Sequence, residues 1–204
     1  MSNKKNDDLS HFDFVPFIDI LFAVVLGQSF IILSSILQDP WKTQLRLPVV
    51  FAVYALVMTS WYGYHQSVKV VRVLSTWRWL IDVMLLFVYY AGFVAAEGID
   101  STKIFATFNP VLLVFMTTFI LYSLWDGIRL LEYRSKPEMT QFRLKRRFAT
   151  TLGFAIVFVA LWLSYILLPG TGTEWGYFVG IIVLLIAFRI LKIYKEPKSA
   201  GSYR

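Results

Sequence analysis

Six ionisable side chains lie inside long apolar stretches of the sequence, where a charge is costly and therefore informative. They are Asp19, His65, Asp82, Asp126, Arg129 and Arg189. Three acids and three side chains that can carry positive charge predict a paired polar network, because isolated charges in an apolar medium are expensive. Such pairs contribute little net stability, but they can fix one arrangement of helices.

Asp19 is the one ionisable residue of the first apolar stretch, Phe14–Leu37, and two roles stay open for it. It is either a structural acid near the positive N-terminus of a helix, bonded to a neighbour, or a functional group. His65 is equally open. It is either a neutral hydrogen-bonding group or a proton sensor, because histidine titrates near physiological pH.

The residues needed for several kinds of catalytic or metal site are missing from the sequence. The absence of cysteine excludes disulfides, thiolate metal sites and cysteine nucleophiles. The two histidines, His11 and His65, are far apart, so no histidine-rich metal site is predicted. No glycine-rich phosphate loop and no serine-hydrolase or zinc-protease motif is present. We therefore predict no enzyme, no catalytic residue, no metal site and no cofactor.

The elements that must position these residues are membrane-spanning helices. Of 204 residues, 57% are hydrophobic and 16% charged, whereas about a quarter of the residues in soluble domains are charged. Runs of about 20 apolar residues recur, each long enough to cross the hydrocarbon core of a bilayer. Six spans are predicted: Phe14–Leu37, Leu47–Gln66, Trp79–Ala96, Pro110–Leu131, Phe148–Leu168 and Trp175–Ile193. The expected fold class is an all-α membrane protein, with tails over residues 1–13 and 196–204 around a transmembrane domain over 14–195.

The distribution of lysine and arginine predicts the orientation of the spans. With six spans, both tails and every second connection lie on one side of the membrane, and that side carries 17 of the 20 basic residues. Cytoplasmic segments are enriched in lysine and arginine, so both termini are expected in the cytoplasm. The same asymmetry accounts for the net charge of +7, which for that reason does not predict direct nucleic-acid binding.

The longest connection is a basic segment between the fourth and fifth spans. Its basic residues are Arg134, Lys136, Arg143, Lys145, Arg146 and Arg147. One interpretation is attraction to anionic lipid headgroups, worth about 1 kcal/mol for each basic residue near the bilayer surface. The other is a docking surface for a cytosolic protein.

Two short motifs resemble the lysosomal potassium-channel family and its bacterial relatives. The segment from Phe17 to Ala23 reads FIDILFA, similar to the F-S-D-x-x-F-[AS] signature that opens the first helix of that family. The segment from Trp61 to His65 reads WYGYH, similar to the aromatic–histidine stretch at the cytoplasmic end of its second helix. Ile18 stands where the family has serine, and Ile20 where it usually has glycine or alanine.

The resemblance implies a pore. In that family four subunits, or two of double length, surround a pore lined by helix one, with apolar side chains at the constriction. By position it places Val24, Gly27 and Ile31 toward the axis, and their spacing puts them on one helix face. The alternative is that Gly27, with nearby Ser34 and Ser35, lets helices pack closely.

These observations lead to two candidate functions. The first is a channel or leak for potassium or another monovalent cation in the bacterial inner membrane. It is expected to be a homo-oligomer, and the resemblance implies a tetramer. The second is a non-conducting sensor or anchor subunit that binds a cytosolic partner in a bacterial defence or signalling assembly. The basic segment and the charged tail Lys192–Arg204 motivate the second. A transporter is less favoured, because neither a three-plus-three repeat nor paired helix interruptions are visible.

Overall fold

The computed structural model describes residues 14–38, 44–70, 76–100, 103–132, 134, 138–168 and 174–194, and all regular structure within them is helical. The helices are α1 Phe14–Gln38, α2 Arg46–Val70, α3 Thr76–Glu97, α4 Ile104–Glu132, α5 Glu138–Leu167 and α6 Glu174–Tyr194. Each contains a stretch long and apolar enough to cross a membrane. The prediction of an all-α membrane protein with six spans is confirmed; both predicted tails lie outside the described residues.

Successive helices run in alternating directions, as side-chain contacts at the two ends of the bundle show. At one end, Asp19 near the start of α1 meets His65 near the end of α2. At the other, Ser35 near the end of α1 donates a hydrogen bond to Glu97 at the end of α3. We call the first of these ends the basic end. It is formed by the starts of α1, α3 and α5 and the ends of α2, α4 and α6.

Helices α3 and α4 form the centre of the bundle. Within their most apolar stretches 44% of residues are buried, against 17% in α6. Helices α1 and α2 pack on α3, α5 packs on α4, and α6 packs on α5 and to a smaller extent on α4. Aromatic rings fill much of the space between them: the Phe119 ring centroid lies 4.4 Å from that of Phe158 and 4.9 Å from that of Phe188. The interior is therefore a close-packed apolar core, as expected for burial of large rings.

Helices α4 and α5 begin more than one turn earlier than the sequence predicted. Helix α4 starts at Ile104 rather than at Pro110, so the proline lies inside it, which membrane helices tolerate because neighbouring groups satisfy the freed backbone. Helix α5 starts at Glu138 rather than at Phe148, so most of the predicted basic connection is helical. Leu144 in this extension is buried, and that apolar contact stabilises a segment rich in good helix formers.

Gly92 marks the place where α2, α3 and α4 approach one another closely. A Cβ atom added there would lie 3.1 Å from a methyl carbon of Val114 and 3.2 Å from one of Val53. Both distances are shorter than ordinary carbon–carbon contacts. Glycine at this position thus permits the central helix contact, as small residues do in membrane bundles.

Replacing Gly92 with valine is expected to lower the free energy of unfolding by about 1–3 kcal/mol, because the added methyl groups overpack the contact. The measurement is unfolding of the purified protein in detergent. Gly153→Val in α5 is the matched control, since a Cβ atom there meets no heavy atom within 4 Å. Equal stability of the two variants would contradict the close approach at Gly92.

Candidate functional site

The start of α1 is held against the end of α2 by one carboxylate. Oδ1 of Asp19 lies 2.9 Å from Nε2 of His65 and accepts a hydrogen bond of 3.2 Å from Nε1 of Trp61. Trp61 and His65 are one turn apart, and their rings meet edge to face at 4.6 Å. The Asp19 side chain is 39% exposed and that of His65 28% exposed. The two predicted network residues nearest the N-terminus are therefore brought together, at the surface of the bundle. We call this contact the α1–α2 latch.

One face of α1 points away from the rest of the chain. Val24 is 53% exposed and Ile31 65% exposed, while a Cβ atom added at Gly27 would meet no heavy atom within 4 Å. The opposite face is buried; its residues are Ile18, Phe22, Val25, Ser29, Ile32 and Ile36. The three predicted pore residues thus share a surface stripe that makes little contact with its own bundle. We call Val24, Gly27 and Ile31 the α1 stripe.

Three arginines of the basic end gather around the indole of Trp125 on α4. The guanidinium carbon of Arg78 lies 4.6 Å from the ring centroid, and those of Arg129 and Arg147 each lie 5.6 Å from it. Three cations therefore surround one indole ring, whose quadrupole attracts positive charge. Trp125 itself is buried. We call these residues and their acid partners the Trp125 cluster.

Acidic residues of α3 and α4 balance the three cations. Asp126 contacts Nε of Arg147 at 2.8 Å and accepts a hydrogen bond of 2.7 Å from Thr151. Glu132 accepts one of 3.1 Å from Arg78, whose side chain is fully buried. Asp82 lies beside Arg78 and the Trp125 indole. Arg78 and Arg147 are thereby each matched by a carboxylate, as buried charges require.

The pairing differs from the sequence expectation, which set the acids opposite Arg129, Arg189 and His65. Asp126 pairs with Arg147, which the sequence analysis had grouped with the basic surface segment. The geometry of α5 explains this pairing, because Thr151 lies one turn beyond Arg147 and both side chains contact the Asp126 carboxylate. Arg78 and Glu132 were missing from the predicted network. Their position next to apolar runs is the signal that could have found them, because a charge at a span boundary requires a partner nearby.

A cleft of about 430 Å³, counting its open mouth, lies beside the Trp125 cluster where α2 faces α6. Charged side chains from α3, α5 and α6 line it: Asp82, Arg147, Arg189 and Lys192. Hydroxyl groups line it too, from Thr59, Ser60, Tyr64 and Tyr122. Tyr89 connects two of these hydroxyls, donating 2.6 Å to Ser60 and lying 2.8 Å from Tyr122. We call this cleft the basic pocket, because three cationic side chains face one carboxylate.

The basic segment divides between surface and interior. Arg143, Lys145 and Arg146 are exposed near the start of α5, as is Arg134 just before it. Phe142 beside them is 66% exposed. Arg147 turns inward instead, and Lys136 lies outside the described residues. The described surface thus combines three neighbouring cations with one exposed aromatic ring.

Comparison with known proteins adds no family. No family model, no curated protein and no solved structure matches the chain. Among the described residues, no group of three or more histidine, aspartate or glutamate side chains is arranged to hold a metal ion. The function is therefore argued from the latch, the α1 stripe, the Trp125 cluster and the basic pocket.

Replacing Arg147 with methionine is expected to lower the free energy of unfolding by about 3–5 kcal/mol, because it leaves the buried Asp126 carboxylate without its cation. The adjacent Arg146→Met is the matched control, since Arg146 is exposed and its loss is expected to change little. Unfolding in detergent measures both.

Adding Asp126→Leu to Arg147→Met is expected to recover most of the lost stability, because removing both charges removes the desolvation cost. The double-mutant cycle gives the coupling between the two residues. If Arg147→Met and Arg146→Met unfold alike, the Asp126–Arg147 pair does not stabilise the basic end.

Proposed function

We propose that the chain assembles as a homo-oligomer, with a tetramer expected, that conducts monovalent cations, with potassium the expected ion. The pore lies between copies and is lined by the α1 stripe. The observation that supports this most directly is that Val24, Gly27 and Ile31 share one exposed face while the opposite face of α1 is buried. A helix held this way presents its free face to another copy.

The composition of that free face supports the same assignment. Gln28 and Ser34, both exposed on α1, add polar side chains to the stripe. Polar groups facing lipid are costly, and in membrane proteins they face water or a neighbouring helix. The core of the single chain is filled by aliphatic and aromatic side chains, so a water-filled path is better formed between chains than within one. A face of this kind fits the wall of a shared pore.

The parts of the structure then take distinct roles in conduction. Rings of Val24 and Ile31 side chains from several copies form an apolar constriction, which gates or sieves ions by controlling wetting. The α1–α2 latch fixes the start of α1, so that the stripe keeps its direction. The basic end faces the cytoplasm of a bacterial cell, in line with the enrichment of lysine and arginine there.

Replacing Val24 with asparagine is expected to increase ion flux several-fold, because an amide at the constriction favours wetting of the pore. The measurement is potassium efflux from proteoliposomes that contain purified, assembled protein. Val183→Asn in α6 is the matched control, since Val183 is 57% exposed and lies away from α1.

Two outcomes count against this pore. Equal flux from wild type, Val24→Asn and Val183→Asn would remove the constriction from the α1 stripe. No flux from well-folded oligomers, with or without a pH step, would remove conduction altogether and favour the second candidate.

The second candidate is a non-conducting sensor or anchor subunit that binds a cytosolic partner. The observation that favours it is the exposed basic surface of Arg143, Lys145 and Arg146 beside the exposed Phe142 ring. Cations around an exposed aromatic side chain fit an acidic protein surface, because complementary charge steers encounter while the ring supplies apolar area.

Charge reversal of Arg143, Lys145 and Arg146 to glutamate is expected, for an anchor subunit, to abolish capture of the cytosolic partner without affecting membrane insertion. Crosslinking followed by purification from cells measures the loss. The charge-preserving Arg143→Lys/Arg146→Lys variant is the control and should retain the partner. If the reversed variant recovers the same proteins as wild type, the anchor role fails.

A further inference from the structure

We propose that the basic pocket binds a phosphoryl group, carried by the headgroup of an anionic membrane lipid. Most of the charged side chains that line the pocket are cations. Arg147, Arg189 and Lys192 line the pocket together with a single carboxylate, that of Asp82. Arg147 also contacts Asp126 at 2.8 Å, and the other two cations of the lining belong to α6. A site with this balance attracts an anion.

Residues with hydroxyl groups accompany the charged side chains of the pocket. Ser60 accepts a hydrogen bond of 2.6 Å from Tyr89, and its side chain lines the pocket. Tyr122, 2.8 Å from the Tyr89 hydroxyl, belongs to the same chain of hydroxyls. A phosphoryl group offers several acceptor oxygens, which match hydroxyl and guanidinium donors better than a halide ion does. Arg189 supplies the planar donor group that phosphate recognition favours.

The pocket lies near the ends of two apolar spans. The apolar span of α2 ends at His65 and that of α6 ends at Lys192. The pocket is lined by residues just inside those two ends. This places it at the level where lipid headgroups meet the hydrocarbon region. Basic pockets between membrane helices at this level are known to take anionic headgroups, whose acyl chains can remain in the bilayer.

This inference does not depend on the proposed function, because a lipid site can serve a channel or an anchor subunit alike. It does explain why the charges of the basic end fall into two groups. The Trp125 cluster places acids beside its cations, whereas the α6 cations line the pocket.

The test compares lipid binding by variants of the full chain, with phosphatidylglycerol as the probe and phosphatidylcholine as the neutral reference. Native mass spectrometry of the purified protein measures lipid retention. Gly63→Leu should block the pocket without changing charge: Gly63 lies on the same face of α2 as Thr59 and Ser60, and a Cβ atom there meets no heavy atom within 4 Å. Gly153→Leu, equally unobstructed but on the exposed surface of α5, is the matched control.

We expect Gly63→Leu and the double variant Arg189→Gln/Lys192→Gln each to weaken phosphatidylglycerol binding at least about tenfold, the size of effect expected for losing charge-assisted hydrogen bonds. Gly153→Leu should bind as wild type does. The two pocket variants act by different means, one by filling space and one by removing charge, so misfolding of one leaves the other as a test. If Gly63→Leu and Arg189→Gln/Lys192→Gln, both folded, retain the lipid like wild type, the pocket is not the site.

A second arm separates the lipid from free phosphate as the source of the phosphoryl group. Inorganic phosphate is added to lipid-depleted protein, and thermal stability is compared with that in chloride of equal ionic strength. Stabilisation that is lost in both pocket variants, without selective phosphatidylglycerol retention, would overturn the lipid and assign soluble phosphate instead. Lipid selectivity without phosphate stabilisation supports the headgroup. Absence of both effects overturns the proposal.

Discussion

The basic end of this bundle depends on one constraint: cations placed in an apolar environment need partners that are fixed in position. Helix α4 supplies most of those partners. Trp125 offers its ring to three guanidinium groups, Asp126 binds Arg147 and Glu132 binds Arg78. Because α3 and α5 contribute cations and α4 contributes the indole and two of the acids, the rotation of each helix about its axis is set by the same cluster. Apolar packing alone allows several such rotations.

The consequences extend to both sides of the cluster. On one side α3 carries α1 and α2, so the direction of the α1 stripe follows from the orientation of α3 and from the latch at Asp19. On the other side α4 carries α5 and α6, and the last turns of α6 bring Arg189 to the pocket. The chain thus combines two three-helix halves. Their central helices are joined tightly, and their outer helices α2 and α6 meet only lightly, which leaves room for the basic pocket.

The sequence predicts the number, order and type of the helices well, because runs of apolar residues and the distribution of basic residues are properties that each stretch carries by itself. It predicts side-chain partners less well. Asp19 and His65 could be grouped because both lie near span ends at the same level, whereas the choice of Arg147 over Arg129 for Asp126 depends on helix rotation. Trp125 illustrates the same limit: as a sequence feature it is an aromatic residue near a boundary, and only packing reveals three cations around it. The helical start of α5 was missed because a run of charged residues is typical of a loop. The burial of Leu144, which stabilises the helix there, is visible only in the packed structure.

The sequence separation of the paired charges also has a consequence for synthesis. Asp19 and His65 are 46 positions apart, so the carboxylate of α1 is synthesised before the histidine that contacts it. Its place near the end of the span allows the carboxylate to wait among headgroups until α2 follows. Arg78 is likewise synthesised before Glu132, and Asp126 before Arg147. Helices α2, α4 and α5 each bring a partner for a charge on an earlier helix, so these ion pairs form only as the later helices are added during biogenesis.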